Sequence, residues 1–495
     1  MKSFLQLLLP FLFINLSGQD IPTPLKESGY TKLSSYLQIN EYLGKLEEIN
    51  KYISVSTLTK SVEGREIKKV TVTNPSQSEK LKVLVFAQQH GNEQSGKEGS
   101  LLVLEEFATG KLDYLLDSLE LIIIPQLNPD GSEKNNRRNG NEMDLNRNHM
   151  VLTEPEVVAL HSLFNEYKPH ATLDVHEYFP YSNSWYKFGY YKDFDEQFGV
   201  VTNPAVSKEI KKIAENLFLP TVEKELTEKG FSFHNYIVGG PPDRERIRHS
   251  TVDINDGRQS FGIQNTFSVI LEGKNGKDVY SENIERRAKG QAEAIKAFLS
   301  FCYNNATMLR ETVIKEREKL INSEAGEMIA VRMEHVEGSS PLLLKLKSVY
   351  SGDDTIITVK NYHPIIKKLI EVEKPEAYLI NKSQTELIGI MERNFVYMEN
   401  YNPSAGDIVS RYKVKNVDTL EIEETPVTVP LVEVEMVEAI DELSGFYLIP
   451  VAQLKSNFLP LALEPQSQCG LVTYENLELL KENSYYPVLR LERRK

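Results

Sequence analysis

Residues 19–305 predict an α/β fold, a mixed and largely parallel sheet flanked by helices, and residues 326–495 predict a β-rich accessory domain. Three observations point there. Apolar runs of strand length recur at 67–72, 81–87, 119–125, 170–175 and 267–271. Segments with helical apolar spacing lie among them at 34–50, 93–107, 155–167, 205–229 and 284–303. Beyond residue 305 this alternation stops and short β-rich runs take over. Strands alternating with helices form layered sheets whose strands run mostly parallel.

Each element has its own warrant. In 34–50 the apolar positions Tyr36-Leu37, Ile39 and Tyr42-Leu43 sit at helical spacing. Residues 205–229 follow a Tyr/Phe-rich loop and read as a long amphipathic helix. Charged helical sequence continues past Asn305 to Ser323, so 306–325 reads as a helical linker. The runs 342–347, 355–360 and 427–437 then read as strands, interrupted by one helix near 384–394. A chain of 495 residues exceeds one ordinary compact domain, which agrees with this division.

Composition narrows the function classes. A formal net charge of -14 lacks the basic face that phosphate neutralisation requires, so no nucleic-acid partner is expected. At the start, Lys2 precedes the apolar run 4–14, broken only by Gln6 and Pro10, and Ser17-Gly18 offer a cleavage point before Gln19. These features predict a signal peptide over 1–18 and a secreted or periplasmic protein. The run falls short of the ~20 residues a spanning helix needs, so no integral membrane span is expected. Cys302 and Cys469 either pair in an oxidising compartment or stay apart as buried thiols.

The chemistry concentrates at strand ends. The apolar segment 82–87 runs into Gln88-Gln89-His90-Gly91-Asn92-Glu93. Where a strand turns into a helix, a His and a Glu three apart can converge on one point. Alone, that pair also reads as polar residues at a helix start, with the carboxylate at the positive end of the helix dipole. A second apolar strand ends at His176, and open α/β sheets gather their sites at the carboxyl ends of strands. His90, Glu93 and His176 are therefore candidate ligands of a catalytic zinc, which commonly takes three protein ligands and keeps one position open. Asp174 is a candidate partner for His176, with its direction left open by strand alternation.

A polar segment follows the strand 119–125: Asn128-Pro129-Asp130-Gly131, then Arg137-Arg138-Asn139 and Asp144-Leu145-Asn146-Arg147-Asn148. Its composition suits a flexible loop. It equally suits a cluster of guanidinium and amide donors for a carboxylate.

The ordered set H-x-x-E, N-P-D-G, R-x-N, D-L-N-R-N, a later His and a later Glu resembles the zinc carboxypeptidases of the carboxypeptidase A/B type over residues 30–305. The spacing is similar to bacterial members with R-R-N before D-L-N-R-N. The resemblance implies one zinc per chain on His90, Glu93 and His176, and Glu272 as general base. It implies Arg137 as the group that polarises the scissile carbonyl, with Arg138 as the alternative. Asn146 and Arg147 would hold the substrate's terminal carboxylate, and Tyr178 would line the pocket. Arg258, in the stretch 253–260 before Glu272, would meet the side chain of the released residue and favour an acidic one, unless Asp253 or Asp256 occupies it.

One departure stands out. The family's mobile tyrosine has no counterpart in Arg246-Ile247-Arg248-His249-Ser250-Thr251. Segments 374–380 and 461–467 resemble stretches behind the catalytic domain of some bacterial members. The implied function is a secreted zinc metallocarboxypeptidase acting on peptide or protein C-termini. A zinc-dependent amidase or deacylase on peptidoglycan peptides or acyl amino acids would share the metal and base without needing Asn146 and Arg147 together. A non-catalytic secreted binding protein would need none of them.

Overall fold

Both faces of the strand Leu81–Ala87 are apolar because both are covered. Val83, Val85 and Ala87 enter one core, and Leu84 and Phe86 enter another on the opposite side of the sheet. Burial on both faces is what makes a parallel strand read as an unbroken apolar run. This computed structural model describes residues 21–492 apart from 76–78, 405, 423–424 and 438–439. The leader expected at 1–18 lies outside the described residues.

Eight strands form the main sheet: β1 Ile53–Lys60, β2 Glu66–Val72, β3 Leu81–Ala87, β4 Leu119–Ile124, β5 Ala171–Tyr178, β6 Glu196–Val200, β7 Phe233–Asn235 and β8 Phe267–Lys274. Their spatial order is β1-β2-β4-β3-β5-β8-β6-β7. The central block β4-β3-β5-β8 is parallel, while β1, β2 and β6 join antiparallel neighbours. Carboxyl ends of β3, β5 and β8 thus point to one edge.

Helices cover both faces. Ser35 and Gln38 form a capping box at the start of α1, Tyr36–Ile49. Helices α2, Gln94–Ala108, and α4, Ile284–Asn304, pack on one face, and α3, Pro155–Tyr167, on the other. The segment read as a helical linker over 306–325 contains the helix α5, Ala306–Ile321, which lies against the main sheet's core. Leu309 and Val313 are buried in that core, and Arg317 donates to Pro169 O and Thr266 Oγ1, both at 2.7 Å.

The C-terminal half is β-rich. Strands β9 Met328–Val336 and β12 Ile365–Glu373 form an antiparallel pair, and β10 Leu342–Ser348 and β11 Asp354–Val359 form a hairpin. A six-stranded antiparallel sheet contains Glu399–Asn400, β13 Ala377–Asn381, β14 Ile408–Ile422, β15 Thr425–Met436, β16 Phe446–Pro450 and β17 Tyr485–Glu492.

This half interlocks with the first. β10 pairs with Tyr190–Tyr191, and Tyr362–His363 runs parallel to Ile247–Arg248. Met150, Val201, Val206, Val252, Ile254 and Ile263 share one core with Ile329, Val331 and Leu459. Cys302 belongs to the first core and Cys469 to this second one, and both are free, buried thiols. Among the described residues no helix is long and apolar enough to cross a membrane.

Candidate metal centre and substrate cleft

His90 lies in the turn after β3, and Glu93 occupies the residue before α2. Gly91 between them is obligatory, since a Cβ there would come within 2.1 Å of the Gly131 carbonyl carbon. Asn128 clamps this turn. Its side-chain amide donates to Gln89 O at 3.0 Å and to Arg137 O at 3.4 Å, and its oxygen caps the short helix Pro129–Glu133 through Gly131 N at 2.9 Å. Asp130 accepts from Ser61 Oγ, Glu63 N and Arg65, so it braces the loop from outside.

His90 Nδ1 stands 2.7 Å from Glu93 Oε1, and His176 Nδ1 stands 2.8 Å from Glu93 Oε2 and 3.1 Å from His90 Nδ1. One ligand atom from each residue falls within 4.8 Å of the others, and all three residues are buried. Two imidazoles and a carboxylate with no thiolate form the donor set of a catalytic zinc. The far nitrogen of each imidazole faces a carboxylate. His90 Nε2 meets Asp144 Oδ1 at 3.0 Å, and His176 Nε2 meets Asp174 Oδ1 at 2.8 Å. Such contacts leave Nδ1 as the metal-facing atom. Burial opposes charge on Glu93, but His90 and His176 outweigh it and hold the carboxyl well below its usual range.

Glu272 pairs in register with His176 on one side and with Gln197 on the other. These three side chains therefore emerge on one face of the sheet, side by side. Burial, partly offset by His176, pushes the Glu272 carboxyl up to about 7.

The two arginines separate cleanly. Arg137 bonds Asp144 Oδ2 at 3.0 Å and comes within 3.5 Å of Glu93 Oε1, whereas Arg138 donates to Glu142 O at 2.7 Å, away from the cluster. Asn146 is largely occupied. Its oxygen accepts from Gly257 N at 2.8 Å and its nitrogen lies 3.2 Å from His176 Nε2. Arg147 is exposed, with one donor on Asn146 O at 2.6 Å.

Tyr178 is not a free pocket hydroxyl. Its OH donates to Phe194 O at 2.6 Å and accepts from Phe194 N at 3.0 Å, and its ring lies beneath Lys192 at 5.3 Å. Arg258 is 1% exposed. One of its nitrogens serves Ser250 Oγ and Asp256 Oδ2, while Nε and Nη1 are buried without partners.

Sequence reasoning missed two neighbours of Glu272. Tyr236, which follows β7, hydrogen-bonds Glu272 and lines a cavity of about 480 Å³ together with Gly199 and Ser250. It stands near the glutamate although residues 246–251 hold no tyrosine. Gln197 is fully buried with neither side-chain polar atom paired. No motif marks either residue, and a buried polar Glu-Gln pair opening β6 was the only available signal.

Residues 39–240 match the family model described as zinc carboxypeptidase. Carboxypeptidase 2 of Trichophyton rubrum is 24% identical over 471 residues, covering 93% of this chain and 84% of the relative. Carboxypeptidase M of Mus musculus is 29% identical over 128 residues, covering 21% of this chain and 29% of the relative. The metallo-carboxypeptidase of Burkholderia cenocepacia is similar in structure with a TM-score of 0.42 and 22% identity, covering 54% of this chain and 68% of the other.

Proposed function

Since this chain belongs to the zinc carboxypeptidase family, we propose that it hydrolyses the last peptide bond of peptides or proteins, with one zinc per chain on His90, Glu93 and His176. The observation that carries this reading is the convergence of those three donors beside Glu272 and Arg137 at one sheet edge. Bound there, zinc supplies a Lewis acid and acidifies water toward neutrality.

Glu272, in its ionised form, accepts a proton from the attacking water and returns it to the departing amine. The Arg137 guanidinium donates to the carbonyl oxygen as negative charge develops on it. Arg147, exposed beside Asn146, takes the terminal carboxylate in a charge-assisted pair. Asn146, held on Gly257 N and close to His176, ties that contact to the metal centre.

Arg258 selects the side chain that leaves. Asp256 meets one of its nitrogens, and the buried Nε and Nη1 remain as two unpaired donors for a substrate carboxylate. C-terminal Glu or Asp should therefore leave faster than Leu, Phe or Lys, with the preference lost in Arg258→Ala. Faster release of Lys or Phe by the wild-type enzyme overturns this assignment.

The whole reading is tested by peptides with free and amidated C-termini. Single residues should be released only from the free form, activity should vanish on chelation, and zinc should restore it. Export is supported by the leader-like residues 1–18. N-terminal sequencing of native protein should find a start near Gln19, and an intact Met1 refutes it.

A further inference from the structure

Behind His176 a row of buried side chains leads away from the metal centre, and beyond Asp174 none of the roles above uses it. Asp174, Gln89, His149 and His161 are each no more than 2% exposed. Gln89 Nε2 lies 2.9 Å from Asp174 Oδ1 and 3.0 Å from Oδ2. Gln89 Oε1 lies 2.8 Å from His149 Nε2, and His149 Nδ1 lies 3.0 Å from His161 Nε2.

The protons along this row follow from two fixed points. With Nδ1 of His176 turned to Glu93 and His90, its proton sits on Nε2 and is donated to Asp174. Both Asp174 oxygens face the same Gln89 atom, and a carboxylate oxygen accepts, so that atom is the amide nitrogen. Independently, the Gly257 backbone N–H identifies the Asn146 atom it meets at 2.8 Å as oxygen, and Gln89 Nε2 lies 3.3 Å from that same oxygen. Gln89 therefore presents its oxygen to His149, whose proton must be on Nε2. The lone pair on His149 Nδ1 then accepts from His161. Burial, which pulls His149 down to about 4, agrees with a neutral ring.

Asp174 pairs with no lysine or arginine among the described residues, unlike Asp144, which Arg137 supports. The His176 ring and the Gln89 amide are its partners, and a buried carboxylate that loses one of them is left short of donors.

We infer that Gln89 and His149, backed by His161, are positioning residues that lock the Asp174 carboxylate and through it keep the His176 proton on Nε2, leaving Nδ1 as the ligand atom. This rests on the proposed zinc site, and it adds residues that contact neither metal nor substrate. Without the His149 donor, Gln89 Oε1 is left buried and unpaired, which weakens the hold on the amide that faces Asp174. Outer partners of ligating histidines commonly set metal affinity within about 10- to 100-fold.

The test compares zinc affinity, by competition with a chromogenic chelator, in the full-length protein and its variants. His149→Leu and Gln89→Leu should weaken zinc about 10- to 100-fold. His149→Gln, whose side-chain nitrogen can donate from near the Nε2 position, should stay close to wild type. Metal-free melting temperatures of the two His149 variants should match, because a merely structural role would shift melting and affinity together. Equal weakening by Leu and Gln at 149, or wild-type affinity in His149→Leu, overturns the inference.

A second measurement needs no variant. Nitrogen-15 histidine spectra of the wild-type protein should show His149 as the Nε2–H tautomer, and the Nδ1–H tautomer refutes the row. Absence of zinc uptake by the wild type would bring down the metal-site reading first, and this inference with it.

Discussion

The strand ends that carry the proposed ligands His90 and His176 and the proposed base Glu272 are built by different means from the segment 236–258, which holds Tyr236 and Arg258. The first group hangs on β3, β5 and β8, which pair with one another over most of their length and are buried on both faces. The second contains only the short strands Val238–Gly239 and Ile247–Arg248, and its outer support is Tyr362–His363 from the other half of the chain. Groups that transfer protons and hold a metal tolerate little displacement, because misplacement of about 1 Å can cost two orders of magnitude in rate. Groups that choose a side chain can sit on a more variable frame. The two constructions therefore predict separable failures.

Removing the second frame altogether should have the largest effect. A chain ended after Ile321 uncovers Met150, Val201, Val206, Val252, Ile254 and Ile263. Six apolar side chains at about 1.5–3 kcal/mol each come to about 9–18 kcal/mol, comparable to the whole stability of a domain. That fragment should not fold, as circular dichroism and protease resistance would show. A stable, zinc-binding fragment would mean the halves are independent.

Next in size are changes at the strand ends. Glu272→Gln should keep zinc content and substrate binding while kcat falls by about 10²–10⁴. Arg137→Ala should lower kcat by about 10²–10³ with a smaller change in KM. Neither should alter which C-terminal residue leaves fastest, and a shift in that preference would blur the comparison.

The smallest effect lies at the junction. Lys455, from the C-terminal half, is 6% exposed, and burial pushes its ammonium down to about 7. Its unfolded value is near 10.5, so the folded state binds fewer protons between about 7 and 10.5. The cost of burying the charge is therefore full below pH about 7, fades as pH rises, and is gone above about 10.5. Lys455→Met should raise the melting temperature, by the equivalent of a few kcal/mol at pH 6.5 and far less at pH 10. An equal gain at both pH values would exclude the charge as its cause.

What could be read in the sequence follows the same division. β3, β5 and β8 are apolar runs ending in polar residues, and their pattern marks both the strands and the residues at their ends. The strand at 170–175 was legible, though it runs on through His176 to Tyr178. β6 was not legible, because Glu196 and Gln197 are polar residues buried for reasons no periodicity records. β1 was missed because most of its side chains reach solvent. The helix α5 looked like a linker because its charged positions outnumber the few, Leu309 and Val313 among them, that fasten it to the core. Arg137 and Arg138 are adjacent, and only the turn around Asn128 decides which faces the ligands. Tyr236 lies 36 positions before Glu272, a separation no local pattern can bridge.

The parallel pairing of Ile247–Arg248 with Tyr362–His363 has a meaning in time. A growing chain has made every candidate ligand and the glutamate by residue 274, yet the ribosome must add another 89 residues before His363 exists to support the segment beside them. The shared core closes later still, with Val488. At about 5–20 residues per second, the interval from Glu272 to the end of the chain is on the order of tens of seconds. Throughout it the nascent protein carries the proposed site residues without the strand that supports Ile247–Arg248, and the apolar residues of the shared core stay uncovered. Peptidase activity should thus be among the last properties the polypeptide acquires. Ribosome-bound chains arrested near residue 330 should be inactive, while released full-length chains cleave.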